Sequence, residues 1–91
     1  MLSPTSVYQP LKAFLASRPA EEQQITLTFA EIEAILGRRL PASAYRGGSW
    51  WANVTNPLNM GSQTMAWHEA GWRTTHVYHD QRVVTFIRQS V

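Results

Sequence analysis

Ninety-one residues, 44% apolar and with four Trp, three Tyr and three Phe, provide one small domain with the material for a core. The lack of cysteine excludes disulfides and thiolate zinc sites, and no apolar run approaches the roughly 20 residues that span a bilayer. Only 15% of the chain is charged and the net charge is +2, yet seven of the eight cations are Arg, and six of those fall at or after Arg38.

In chain order, residues 1–7 are expected to be a flexible lead-in and 8–91 a single compact domain. The start MLSPTSVYQP has neither the basic residues nor the apolar stretch of a secretory signal, so a cytoplasmic location is expected. Tyr8, Leu11, Phe14 and Leu15 recur at helical spacing and predict an amphipathic helix over 8–16. Ser17 to Gln24 is polar and contains Pro19, which predicts a loop. In ITLTF, residues 25–29, apolar residues alternate with Thr, the pattern of a half-buried strand.

Thr28 with Glu31 three residues on is a capping box. It predicts a helix whose buried stripe is Phe29, Ile32, Ile35 and Leu36 and whose stop is Gly37. Leu40-Pro41 turns the chain, and Ala42 to Tyr45 fits a single helical turn. Gly47-Gly48 allows a bend before Trp50-Trp51-Ala52-Asn53, and Asn56-Pro57 marks another turn. A further helix is expected from Ser62 or just before it to Ala70, with Ser62 as its candidate cap. Its buried face would use Ala66, Trp67 and Ala70 with Met65 or Gln63, and Gly71 would end it. A hairpin closes the chain: strands over 73–79 and 83–89, with His79 to Arg82 at the turn. Val84 and Phe86 would share one face, Val83, Thr85 and Ile87 the other. The fold class is therefore α+β, with about three helices packed on a small antiparallel sheet and a C-terminal hairpin, in the element order of a winged helix.

Catalytic chemistry has little to draw on. Glu31 and Glu33 lie two apart on a helix and diverge, and Glu31 is engaged in capping. His68, His76 and His79 do not share a spacing suited to metal ligation, and no nucleophile, zincin or phosphate-loop motif is present. A non-enzymatic domain without cofactor or metal is expected.

Binding has more support. RRLPASAYR, residues 38–46, sets three Arg and a Tyr around a helical turn, directly before GGSWW. Guanidinium groups suit phosphates, and aromatic faces stack on bases. Arg38, Arg39, Arg46, Arg73 and Arg82 are the candidate phosphate contacts. Gln63, Thr64 and His68 are the candidate groove-facing residues of the late helix. Tyr45, Trp50 and Trp51 serve either as stacking partners or as core. The competing assignment makes the aromatics core and the arginines a solvated rim. A nucleic-acid partner, double-stranded DNA, is expected; a protein partner held by an aromatic surface is the alternative.

The pieces YQPLK, LTFAEIE and ILG with Leu40-Pro41, then ASAY, WWAN, AW, AGW and VTF, cover about residues 8–88. In them the chain resembles a small bacterial domain family of uncharacterised function, whose members are sometimes attached to nuclease-like modules. That resemblance implies a nucleic-acid role and supplies no catalytic residues. All four tryptophans fall within the shared motifs, which suits a shared aromatic core. One of Trp50 and Trp51, here assigned as Trp51, is expected to be buried and the other to cover the edge of that core with its indole N–H toward a partner. Val54 to Thr64 is longer and less basic than the family pattern implies.

Overall fold

A computed structural model of the chain describes residues 7–47, 49–53 and 61–89. Apart from Val7, the expected lead-in lies outside the described residues, as does the turn at Asn56-Pro57. Helix α1 (Gln9–Ala16) starts with Pro10 in its first turn, where the missing N–H is no loss, and buries Leu11 and Leu15. Strand β1 (Gln24–Thr28) leads directly into α2 (Phe29–Leu36). There the capping box is complete: Thr28 Oγ1 accepts from Glu31 N at 2.9 Å, and Glu31 Oε1 accepts from Thr28 N at 2.8 Å. Gly37 ends the helix at φ 72°, the left-handed conformation that a residue without Cβ adopts at little cost.

The short helix α3 (Ala42–Arg46), the irregular segment 49–53 and helix α4 (Ser62–Glu69) follow, making four helices among the described residues. Strands β2 (Trp72–Tyr78) and β3 (Val83–Arg88) form the C-terminal hairpin. The sheet is antiparallel in the order β1-β3-β2, so β3 lies in the middle and the first strand pairs with the terminal hairpin.

Period-two alternation decides which residues face the helices. Val84 pairs with Leu27 on one side and Val77 on the other, and Phe86 with Ile25 and Thr74. These residues supply the sheet's share of the core. Thr85, with Thr26 and His76 opposite it, belongs to the other face, as do Val83 and Ile87.

The interior is organised around tryptophan. Trp67 and Trp72 are fully buried and Trp51 is 3% exposed. Trp51 stacks between Phe29 (5.1 Å between centroids) and Trp67 (5.9 Å), and Trp67 continues to Phe86 (5.7 Å). Burying an aromatic of this size removes about 150–250 Å² from water, worth roughly 4–6 kcal/mol per ring as an upper bound. Each of the three indole N–H groups has an acceptor: Ala44 O for Trp51, Asn53 Oδ1 for Trp67 and Leu15 O for Trp72.

Helix α4 departs from expectation at two points. Gly61, not Ser62, is its N-cap, and no side chain caps it. Its third buried residue is Thr64, while Met65 stands 41% exposed. The reason lies in segment 49–53, whose carbonyls have no regular ladder to satisfy them. Thr64 Oγ1 donates to Ala52 O at 3.2 Å, Gln63 Nε2 to Trp50 O at 3.3 Å and Thr74 Oγ1 to Trp51 O at 2.7 Å. A hydroxyl facing that backbone does what a methionine cannot.

Asn53 completes the arrangement. Its Nδ2 donates to Thr74 O at 2.7 Å and its Oδ1 accepts from Thr74 N at 3.0 Å, so one side chain takes the place of a neighbouring strand on edge strand β2. One residue further on, β2 carries a bulge. Thr74 pairs with Phe86 and His76 with Thr85, which leaves Thr75 as the extra residue.

Candidate nucleic-acid interface

Three of the candidate arginines converge although they come from separate segments. Arg39 from the α2–α3 connection, Arg46 from the last turn of α3 and Arg82 from the hairpin tip line one open depression of about 500 Å³ with Leu40, Ala42 and Tyr45. Arg82 sets its guanidinium 5.3 Å from the centre of the Tyr45 ring. That ring is held edge-on by Phe29 at 5.2 Å, so the cluster stands directly on the aromatic core.

The chain reaches this geometry through two unusual backbone positions. Gly47 follows α3 at φ 94°, which side chains rarely adopt. Arg82 itself has φ 57°, unlike any other non-glycine among the described residues. The left-handed conformation costs a residue with Cβ about 1 kcal/mol. Hydrogen bonds hold it in place: Arg82 N donates to His79 O at 3.2 Å, and Arg82 O accepts from Phe29 N at 2.8 Å.

Glu33 lies beneath the cluster. Its Oε2 accepts from Tyr45 Oη at 2.5 Å and from Leu40 N at 2.8 Å. The bond from Tyr45, then that from Leu40, hold its carboxyl below the ordinary carboxylate value. Burial opposes them, and the Arg39 and Arg82 charges reinforce them. The same bond, with burial, raises the Tyr45 phenol. Glu33 therefore works as an anchor for α3. Sequence reasoning passed over it because Glu33 and Tyr45 are twelve residues apart and nothing in their spacing joins them.

Among the described residues the ion pairs are Lys12–Glu69 at 3.0 Å and Arg18–Glu22 at 3.8 Å, so none of the clustered arginines has a carboxylate partner. Arg88 is engaged differently. Its guanidinium donates to the carbonyls of Glu22, Arg18 and Pro19 and covers Trp72 at 4.5 Å, closing the loop after α1.

The other candidate residues are dispersed. Thr64 is 2% exposed and faces inward, so it cannot meet a groove. Gln63 donates to the backbone of Trp50 and lines a second depression of about 340 Å³ on the other flank of α3, with Ser43, Gly47 and Gly61. Arg38 is exposed but does not line the arginine depression. His68 is exposed near the end of α4, with Nδ1 3.0 Å from Gln89 Nε2. Arg73 lies at the end of the hairpin away from the tip, paired with Ile87.

Trp51 is core, and Trp50 is half-buried at its edge, 4.6 Å from Trp51 and 5.8 Å from Tyr8. No group of three or more His, Cys, Asp or Glu among the described residues is arranged to hold a metal ion. No described helix is long and apolar enough to cross a membrane.

No curated protein and no solved structure matches the chain. A family model does, over residues 8–90, which include all four tryptophans, the Glu33 anchor and the three converging arginines. The chain belongs to that family, DUF7662, a domain of unknown function.

Proposed function

We propose that the domain binds double-stranded DNA, with Arg39, Arg46 and Arg82 taking backbone phosphates and Tyr45 forming the floor between them. The observation that carries this reading is that three arginines, without carboxylate partners among the described residues, line one depression around Tyr45, with the Arg82 guanidinium over that rigidly backed ring. Such fork-shaped cations suit phosphate oxygens. The strained backbone of Arg82 adds weight, since unfavourable conformations persist where the surroundings enforce them and cluster at functional sites.

The topology agrees with it. A helix followed by a hairpin, with the first strand beside the last, supports a winged-helix reading. In that arrangement the His79–Arg82 tip is the wing that touches the backbone. The start of α4 lies across α3 from the arginines, and Gln63 and His68 are its remaining polar candidates. Since α4 exposes Met65 and Glu69 rather than cations, affinity rests mainly on the rim around Tyr45.

The test is a salt-titrated anisotropy measurement with a blunt duplex, comparing the native chain with Arg39→Ala/Arg46→Ala. Logarithmic affinity should fall linearly with logarithmic salt concentration, and the double variant should flatten that slope by about two units. Absence of binding at low salt, or an unchanged slope, would overturn the reading. A protein partner is the second reading, favoured by exposed Met65 beside Tyr8 in the groove between α1 and α4. It predicts that Met65→Ser abolishes a partner's binding while both arginine substitutions leave it intact.

A further inference from the structure

The outer face of the sheet, turned away from all the buried rings, exposes Gln24, Thr26, Arg73, His76 and Tyr78 around a buried Thr85. Tyr78 is 49% exposed, the most open large apolar side chain among the described residues. His76 lies beside it with the rings 5.9 Å apart and within 8° of parallel. Arg73 is exposed on the same face, two further positions along β2 once the bulge is allowed for. On the same face, Thr26 of β1 and Thr85 of β3 hydrogen-bond to each other at 2.8 Å.

The bulge creates this face. Without the extra residue, alternation would turn Thr75 and Val77 outward and His76 inward. With Thr75 inserted, Val77 joins the core and both aromatic rings emerge together. Asn53 grips Thr74 immediately before the insertion, so the WWAN segment fixes which side chains emerge.

The nine outward positions of the three strands hold no carboxylate: Gln24, Thr26 and Thr28, then Val83, Thr85 and Ile87, then Arg73, His76 and Tyr78. Tyr78 adjoins the hairpin tip that carries Arg82, and Arg73 lies about 13 Å further along the strands, four steps of β3. Parallel rings offer faces on which unpaired bases stack, and a guanidinium at the far end suits a phosphate.

We propose that this face binds a single-stranded tail, so that the preferred ligand is a junction between duplex and single-stranded DNA. The duplex sits on the arginine rim and the unpaired strand runs past the tip over Tyr78 and His76 toward Arg73. This rests on the rim being the duplex contact. Bases extend the Tyr78–His76 stack, since the two rings already face each other.

Three fluorescent probes test it: a blunt duplex, the same duplex with a single-stranded tail, and the tail alone. The native chain should prefer the tailed duplex over the blunt one by roughly five- to hundredfold, the range that one stacked base supplies. Tyr78→Ala should erase that preference with blunt-duplex affinity unchanged, and Tyr78→Phe, which keeps the ring, should retain it. A 2-aminopurine base in the tail should be quenched on binding, a readout independent of how the variants fold. Equal affinity for blunt and tailed duplexes would overturn the proposal and leave the rim intact. Binding of the tail without binding of the duplex would overturn the rim, and the junction with it.

Discussion

Segment 50–53 and the arginine rim are both irregular and crowded with hydrogen-bonding groups, yet they treat those groups in opposite ways. In the segment, the carbonyls of Trp50, Trp51 and Ala52 and the amide of Asn53 all have internal partners. On the rim, three arginines line one depression without an ion pair among the described residues, and the nearby carboxylate is already held by Tyr45 and Leu40. The first pattern serves stability, because an unmatched polar group away from water costs about 1–3 kcal/mol. The second adds little to stability, since like charges held together repel and offset the contact between Arg82 and Tyr45. Substitutions should therefore separate the two regions: the segment should govern unfolding and the rim should govern binding.

The largest effect belongs to the interior that the segment closes. Trp67→Ala removes a fully buried ring in contact with Trp51, Trp50 and Phe86, and should lower the unfolding free energy by about 3–5 kcal/mol. Against the roughly 5–15 kcal/mol typical of a whole domain, that is a large share. Equilibrium urea denaturation followed by circular dichroism measures it, and a loss below about 1 kcal/mol would mean the core is not built around this ring. Asn53→Ala comes next, at about 2–3 kcal/mol. It strands Thr74 N, Thr74 O and the Trp67 indole N–H, though water reaches part of the site. Salt-dependent affinity for a blunt duplex should not change in the Asn53 variant; a parallel loss would blur the division between the two regions.

The Glu33–Tyr45 pair sharpens the comparison because it belongs to both regions. Glu33 ionises more readily in the folded chain. Its contribution is complete above its ordinary value near 4.5 and disappears as pH falls through the lower folded value. Tyr45 is shifted upward, so its contribution is complete below about 10 and is lost as pH rises through the higher folded value. Stability from this pair should be flat between those limits. The amplitude should stay below about 1 kcal/mol, because water screens so open a pair. In Glu33→Gln the amide can still accept from Tyr45 and Leu40, so the acid-side decline should shrink in a pH series of melting temperatures. Duplex affinity at low salt should rise in the same variant, since one negative charge leaves the rim. A fall in affinity would mean that Glu33 positions the arginines rather than merely opposing them.

Much of the frame was legible in the sequence because it is local. Thr28 with Glu31, Gly37 as a stop and the alternation of Val84 and Phe86 are decided within a few residues, and each is found where expected. That one of Trp50 and Trp51 is core and the other its edge was legible too, whereas their edge-on packing was not. Contacts between distant segments were not. Thr64 reads as an outward polar residue until the unladdered carbonyl of Ala52 is placed opposite it. The bulge at Thr75 leaves no mark in Thr-Thr, and the residue bonded to the strand just before it, Asn53, lies more than twenty positions earlier. The five candidate arginines form one set by composition, yet only Arg39, Arg46 and Arg82 share a site, because Arg73 lies at the opposite end of the hairpin and Arg38 does not line the depression.

The smallest expected change in stability is the most discriminating. Arg82 is held at φ 57°, where glycine is at ease, so Arg82→Gly should relieve about 1 kcal/mol of backbone strain. It also removes the guanidinium over Tyr45, a contact worth about 0.5–1 kcal/mol at an exposed site. The bond from Phe29 N to Arg82 O survives, since it involves only backbone. These terms nearly cancel, and the melting temperature should stay close to that of the native chain. Duplex binding should nevertheless weaken, with the salt slope flattened by about one unit. Stability is thus nearly indifferent between glycine and arginine here, so a loss of binding without a loss of stability would show that this arginine answers to something outside the fold. If Arg82→Gly melts markedly lower, or binds as tightly as before, the strained arginine is a structural device of the hairpin and the division between segment and rim fails at its sharpest point.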